Sequence, residues 1–568
     1  LGNATTIDRD GALKWRLHNF ISHANDLTGA GWVVANVAVT SSRITEDATT
    51  NLHRLQRASI PVLSSGVKMV VRAVVSKSET RRLLFNFGGS WDAKALFDIS
   101  SAPSVVATSG SAADLDATAV DNGDGTVTLT LVGNSLASSG SAYFQLCEAT
   151  HTTTSDDSYA GDGSTFIEMS KARIYRSDLG GMQLSSKDGT DYLPTDGAAG
   201  YALRRDYSRD TVNGEILGEP AGVNSLRNNT MQGAVVGTLD TTGAMPDAWA
   251  AGGSMATANV TVVGMGVEDG FSYVDVQYSG TPTGSFTLHL SDGADTPATT
   301  GDIFTLSTRL KIVAGSTANL DLLMLRQTQL NSSGTYLVET NQPISVTTVR
   351  TLFSKAQTAA HASVAYIRPA LQFTWSSGAI DITLRIYMPQ MEEYHVATSV
   401  IPTYGASEAR AKDEASCVIA DKIPGFIQGS GTIVFEGSID YEAGGSRFDR
   451  VFQIDDGTGD NRIAALAVES SGDVRVNVSA SGFTSANLDG AVTTGLTTKF
   501  SIRYTENDYA GSFDGAAAET DTLGSFPAGL AVVHIGTDGG VGVPLRISHF
   551  SIGPYASPVA SPGWSNAQ

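Results

Sequence analysis

The chain has 568 residues, 60 of them glycine, with 17% charged and 41% hydrophobic residues and a formal net charge of −21. Such a length holds about three to four domains, each able to bury a core. The acidic balance disfavours phosphate backbones, and the Gly/Ser/Thr-rich remainder suits short strands and tight turns rather than long helices.

Taken in chain order, apolar residues recur with period two. Val67, Met69, Val71, Ala73 and Val75 alternate with polar neighbours such as Lys68 and Arg72. The turn Asp121-Asn122-Gly123-Asp124-Gly125 precedes Val127, Leu129 and Leu131, which alternate with Thr126, Thr128 and Thr130. Ala142, Phe144 and Leu146 make a further strand. These patterns predict half-buried strands with threonine outward. A second stretch repeats the logic with Val274, Val276 and Tyr278, a turn at Gly280 to Gly284, and Phe286, Leu288 and Leu290. It closes on Ile382, Leu384, Ile386 and Met388. A third has Ile433 and Phe435, then Val474, Val476 and Val478, then Phe500, Ile502 and Tyr504. The turn Phe513-Asp514-Gly515 and the run Leu545, Ile547 and His549 end it. The fold class expected is all-β: three tandem antiparallel β-sandwiches. One short helix is expected, around Ser407 to Ser416.

Internal repetition places the boundaries. Asp191-Tyr192-Leu193-Pro194-Thr195, followed by Arg204, Arg205 and Asp206, matches Ser399-Val400-Ile401-Pro402-Thr403, followed by Arg410 and Asp413. Each follows a strand-like run, and each reads as a strap leaving one sandwich for the next. The module openings also correspond: Asn19 to Trp32 with Asn228 to Trp249, the two tryptophans being repeated core anchors. The divisions predicted are an N-terminal segment 1–15 and modules 16–205, 206–410 and 411–568.

The two cysteines, Cys147 and Cys417, fall in different modules, so no intrachain disulfide is expected and folding in a reducing cytoplasm is. No run of about 18 apolar residues predicts a membrane helix. No basic run predicts a membrane surface, and no signal-peptide core follows Leu1.

Chemistry-bearing motifs are few. The nucleophile elbow, the H-E-x-x-H zinc motif and the phosphate-cradling glycine loop are all missing. Ser438-Ile439-Asp440-Tyr441-Glu442 is the sharpest catalytic candidate. A Glu-x-Asp-x-Glu strand would turn three carboxylates into one cleft, but Ser438 stands where the nucleophile is needed. Glu392-Glu393 near His395 is a second acidic pair, whose members face opposite ways on a strand. The chain is therefore expected not to be an enzyme. Asp455, Asp456 and Asp460, and Asp121 to Asp124, are calcium candidates; neither set matches the D-x-[DN]-x-[DN]-G loop, and turn chemistry accounts for both. No other cofactor is expected. For sugar stacking, which needs exposed flat rings, the candidates are Trp91 (after Gly88-Gly89-Ser90), Tyr159, Trp375 and Tyr509.

Several segments resemble tailed-bacteriophage virion appendage proteins, the tail and head fibres. They are Leu13-Lys14-Trp15-Arg16-Leu17-His18-Asn19 with Gly31-Trp32 and Asn36-Val37-Ala38-Val39-Thr40, Tyr175 to Met182 running on to Thr195, and Asn224 to Met231. The modules of those proteins are similar to carbohydrate-binding modules. Gly431 to Glu436, Asp455 to Thr458, Asn461-Arg462-Ile463, Phe500 to Tyr509 and Phe513-Asp514-Gly515 resemble a concanavalin A-like, laminin G-like module. The resemblance implies a virion-surface location, contact with bacterial surface glycan and with other virion proteins, and a homo-oligomer of the trimeric kind common in fibres, with no nucleic acid and no membrane insertion. It implies no catalytic residue. A purely structural capsid or tail subunit, a capsule depolymerase and a secreted adhesin are the alternatives.

Overall fold

The structure, a computed structural model, describes residues 3–60, 63, 65–88, 93–111, 114–136, 140–185, 189–195, 200–210, 212–253, 257–293, 295–423, 426–441, 448–536 and 544–553. It divides into two compact units. One is Leu13–Ala202; the other joins Asn3–Ala12 to the chain from Leu203 onward.

The first unit is one sandwich of two six-stranded antiparallel sheets. One sheet runs, in spatial order, Ser104–Gly110, Ala93–Asp98, Arg81–Gly88, Gly140–Glu148, His53–Ile60 and Trp32–Ala35. The other runs Asp116–Asp121, Thr126–Asn134, Lys68–Ser76, Phe166–Arg176, Arg43–Glu46 and Val37–Val39. The predicted alternation is realised: Met69, Val71, Ala73, Val75, Val127, Leu129 and Leu131 are buried, and Arg72, Val74 and Thr128 lie on the other face. Phe85, Phe97 and Phe144 fill the space between the sheets with edge-to-face contacts about 5 Å apart. The turn after Asp121 needs left-handed backbone, and Gly123 and Gly125 supply it at φ 79° and 86°.

The second unit holds two sandwiches with separate cores. The middle one packs Thr257–Glu268, Phe271–Thr281, Ile380–Glu392 and Ile303–Gly315 against Phe286–His289, Tyr366–Trp375, Leu320–Leu330 and Tyr336–Ile344. The C-terminal one packs Leu545–Gly553, Ser430–Ile439, Thr497–Thr505 and Asp508–Phe513 against Glu414–Val418, Val532–Gly536, Phe448–Asp455, Arg462–Val468, Asp473–Ala480 and Phe483–Ala491.

Two expectations change. The middle module does not begin at 206. Arg204–Asp206 and Glu215–Gly218 form a hairpin that extends the C-terminal module's sheet beside Leu545–Gly553, and Ile216 packs on that core. The C-terminal sandwich is thus built from two separated stretches of chain, and the middle one is closed by Gly222–Asn224 pairing with Glu408–Arg410. That pairing also explains why 407–416 is not helical. Glu408–Arg410 and Glu414–Val418 are strands, drawn out by partners remote in sequence, and the one helical turn among the described residues is Ile419–Lys422. No helix among the described residues is long and apolar enough to cross a membrane. Cys147 and Cys417 are not joined in a disulfide.

The repeated straps are a real structural repeat. Buried Asn19 donates through Nδ2 to the carbonyl of Leu193 (3.1 Å), and its Oδ1 accepts from the amides of Ile21 and Ile174. Buried Asn224 donates to the carbonyl of Ile401 (3.0 Å) and accepts from Leu226 and Met391. The tryptophans follow suit, Trp32 donating to the carbonyl of His23 and Trp249 to that of Asn228. The true partner of Asn19 is therefore Asn224, four residues before the Asn228 suggested by the sequence.

Candidate functional site

The knot around Asn19 fixes the strap 189–195 along the outer face of the first unit's second sheet. Three rows of that face can be read from the strand register. Val120, Thr128, Val74 and Ser170 make one row; Thr118, Thr130, Arg72 and Arg173 make the next; Asp116, Val132, Val70 and Tyr175 make the third. Arg72 and Arg173 are direct cross-strand neighbours, a like-charge pair that would repel unless bridged. The strap supplies the bridge. The carboxylate of Asp191 accepts from Arg72 Nη1 and Arg173 Nη2, each at 2.6 Å, and from the Tyr175 hydroxyl at 2.9 Å. Burial, then the adjacent Asp191 charge, pushes the Tyr175 phenol up to about 12, so it stays a neutral donor. Arg72 Nε also donates to Thr130 Oγ1.

Between strap and sheet lies a groove of about 410 Å³, lined by Arg72, Val74, Val120, Thr128, Lys171, Arg173, Thr190, Asp191 and Tyr192. Tyr192 stands at its wall, its hydroxyl donating to Asn25 Oδ1 and its ring 5.7 Å from the Arg173 guanidinium. Val74 and Val120 give an apolar floor, and Thr128 and Thr190 add hydroxyls. A fixed ring, an apolar floor and a few convergent polar groups are what an oriented small ligand requires. Lys171 enters through a bulge: Lys171 and Ala172 together oppose Ala73, and Lys171 takes φ 49°.

A cavity of about 480 Å³ on the middle sandwich is bounded by Pro297, Ala298, Thr299, Asp302, Val364, Ala365 and Tyr366. It offers one ring and one carboxylate, and Thr299 already caps that carboxylate through its amide and hydroxyl. It is the poorer site.

The aromatic candidates fare differently from expectation. Tyr159 is 5% exposed, its ring against His53 and its hydroxyl on Glu46 Oε2 at 2.7 Å. Tyr509 is fully buried and donates to the Ser525 carbonyl. Trp375 is half-buried and stacks on Phe373 at 5.7 Å beside Tyr278. Tyr159 and Tyr509 are core residues and present no face to a sugar; Trp375 spends its ring on the middle core. For Tyr159, whose partner Asn51 is remote in sequence, period-two reasoning cannot tell the face; Tyr509 instead pairs with Tyr504 across a tight hairpin and shares its inward face. Trp91 lies outside the described residues.

The acidic candidates are structural. Asp455 is buried; its Oδ1 accepts from the Gly457 amide, its Oδ2 from Gln453 Nε2, and His534 lies 3.5 Å away. Asp456 accepts from the amide and hydroxyl of Thr458 and from Asn461 Nδ2. Asp460 receives the Gly482 amide on its carbonyl. Asp121 and Asp124 likewise cap their own turn, on Gly123 and Thr126. Among the described residues no group of three or more His, Cys, Asp or Glu is placed to hold a metal. Ser438 is 1% exposed and accepts from Arg209 Nη1 at 2.9 Å. Asp440 lies just past the strand end, and Glu442 is outside the described residues. Glu392 is buried on Thr398 and Gln390 and lines neither of the two cavities described above. His395 meets the Asp440 carbonyl through Nε2 at 3.1 Å.

Tyr192 and Asp191 were in the strap that the sequence singled out as repeated, but not as binding residues. The usable signal was the difference between the copies: Asp191-Tyr192 in the first, Ser399-Val400 in the second.

No protein-family model matches the chain, and no curated protein matches it. Among solved structures, the N-terminal CBM22-1-CBM22-2 tandem domain of Paenibacillus barcinonensis Xyn10C is similar over 66% of this chain and 98% of that chain, at 10% identity and a TM-score of 0.23. The LG1-3 region of the laminin alpha2 chain is similar over 88% of this chain and 96% of that chain, at 10% identity and a TM-score of 0.19.

Proposed function

We propose that the chain is a non-enzymatic, glycan-binding appendage protein of a tailed-bacteriophage virion, with its saccharide site in the groove of the first sandwich. The observation that carries the binding part is Tyr192, a ring held in place by Asn25 and Arg173 at the wall of a groove with an apolar floor. Flat rings bind the C–H face of a pyranose, and the polar groups around it set orientation. The virion location, the bacterial glycan, the contacts with other virion proteins and the homo-oligomer rest on the sequence resemblance. Repetition of one weak site in an oligomer would raise avidity without any new contact. The non-enzymatic part is supported by the burial of Ser438 and Glu392, which leaves neither at a substrate-sized opening. Absence of a structural calcium is supported by the hydrogen bonds that already engage Asp455 and Asp456.

The test is binding of the whole chain to an array of bacterial surface polysaccharides. Tyr192→Ala is expected to weaken capture by roughly tenfold, the order of one lost aromatic contact. Full binding by that variant would move the site elsewhere; no binding to any polysaccharide by the native chain would end the glycan claim. A purely structural subunit is the second reading. It predicts large protein–protein interfaces and no sugar in any groove.

A further inference from the structure

The two straps and their knots allow the first and middle sandwiches to be compared residue by residue. Ile174 and Met391 make the same bond to their asparagines, so Arg173 corresponds to Gln390, Tyr175 to Glu392 and Lys171 to Met388. Arg72 faces Arg173 across the strands, and Ser307 faces Gln390. The bulge itself is repeated, Met388 and Pro389 opposing Thr308 as Lys171 and Ala172 oppose Ala73, with Met388 at φ 33°. In the straps, Asp191 and Tyr192 correspond to Ser399 and Val400.

One backbone thus carries two chemistries. In the middle module the position is filled: Met388 and Val400 are buried, Thr5 donates to the Val400 carbonyl, and Arg204 donates to Ser399 Oγ. In the first module the same position is open and holds three cations, Arg72, Lys171 and Arg173, against one carboxylate, Asp191. Asp191 is spent on bridging the two arginines. Among the described residues, the Lys171 ammonium and Arg72 Nη2 donate to no protein acceptor, and Arg173 Nε is buried without one. This local excess of positive charge sits on a chain in which 58 acidic residues outnumber 37 basic ones. Fold maintenance does not ask for it, since the repeated copy keeps the fold with Met388, Ser307 and Gln390.

We propose that the groove selects carboxylated saccharides, Lys171 and Arg72 pairing with a uronate-type carboxylate while Tyr192 and the Val74–Val120 floor carry the sugar ring. This rests on the assignment of the groove as a saccharide site, and adds its charge class. Charge-assisted hydrogen bonds are about twice as strong as neutral ones, and an open groove of one sign concentrates the opposite one.

The experiment is affinity electrophoresis and calorimetry of the whole chain with polygalacturonate, alginate and hyaluronate, each beside its carboxyl-reduced form. At least one acidic polymer is expected to bind, with a preference of about tenfold over its reduced form. That preference should shrink as added salt shortens the screening length from ~10 Å at 0.1 M towards ~3 Å at 1 M. Lys171→Met and Arg72→Ser, the residues that the middle module carries at these places, should each weaken acidic binding by roughly tenfold; Lys171→Met should leave the melting temperature unchanged, whereas Arg72→Ser should lower it slightly, because it also gives up the bonds to Asp191 and Thr130. Equal binding of the acidic and reduced polymers, with loss of both in Tyr192→Ala, would overturn the carboxylate preference and keep the saccharide site. Binding of acidic polymer that neither Lys171→Met nor Arg72→Ser alters would also overturn it. Binding of neither series would remove both claims.

Discussion

Asp191 holds together a part of the surface that electrostatics would push apart. Its carboxylate is the shared acceptor of Arg72, Arg173 and Tyr175, and Arg173 is almost wholly buried. Asp191→Asn keeps an acceptor oxygen but removes the charge between two facing guanidiniums. Leaving a buried charge uncompensated costs several kcal/mol when burial is complete; here Arg72 is partly exposed, so a loss of about 2 kcal/mol is expected. Urea denaturation of the 13–202 unit checks it, and a change within a few tenths of a kcal/mol would mean that solvent already screens the pair. This interaction was invisible in the sequence. The alternation marks Arg72 only as an outward-facing residue of a strand, Arg173 lies after a bulge that breaks the alternation, and Asp191 is more than a hundred residues from Arg72.

At the scale of elements, the asparagine knots make the strands and straps one cooperative structure. Asn19 satisfies two amides and two carbonyls, the second carbonyl being that of Ala172, in a place without solvent. Thr195 adds a bond to Ile21 on one side and to Ala24 on the other. Removing the amide group in Asn19→Ala strands these backbone groups at about 1–3 kcal/mol each, so a total loss of roughly 4 kcal/mol is expected. The melting transition of the first unit should fall, and amide exchange of Ile21 and Ile174 should quicken, while the corresponding Leu226 and Met391 amides keep their protection. Equal loss of protection in both copies would mean that the knots are not independent. Here the sequence was more informative. The Leu-Pro-Thr and Ile-Pro-Thr straps announced the repeat, because the same buried partner demands the same local sequence. The opening asparagine was misaligned by four residues, because Asn228 and Asn229 sit beside Asn224 in a run that composition alone cannot order.

At the scale of the molecule, the unit that begins at Leu203 is joined through a buried ionic cluster. Arg204 donates to Asp413 and Glu219, Arg410 lies 3.1 Å from Glu219, and Ser399 donates to it. Burial alone would raise the Glu219 carboxyl, but the Arg410 and Arg204 guanidiniums outweigh it and bring it from 4.5 down to about 2. A depressed carboxyl stabilises the fold above its unfolded value, and that contribution is lost as pH falls from 4.5 towards 2. Glu392, buried nearby, is raised by burial and acts in the opposite sense, so acid relieves it. The clean measurement is the stability difference between the native chain and Glu219→Gln. It is expected to be roughly 3 kcal/mol near neutral pH and to shrink towards zero by pH 2. A difference independent of pH would mean that Glu219 acts by shape and hydrogen bonding alone.

The sequence by itself determined the all-β class, the number of sandwiches, the strands whose apolar residues alternate, and the existence of the strap repeat. These are local properties: alternation and turn chemistry act within a few residues and are written in the sequence itself. Only the tertiary structure decided which face each aromatic took, so that Tyr159 and Tyr509 went inward and Tyr192 became the groove wall. It also decided that the hairpin 204–218 belongs to the C-terminal sheet, and that Asp191 stands between two arginines. Most of those outcomes depend on contacts between residues a hundred or more positions apart, such as Ile216 with Ile547 or Asp191 with Arg72, which no local pattern specifies.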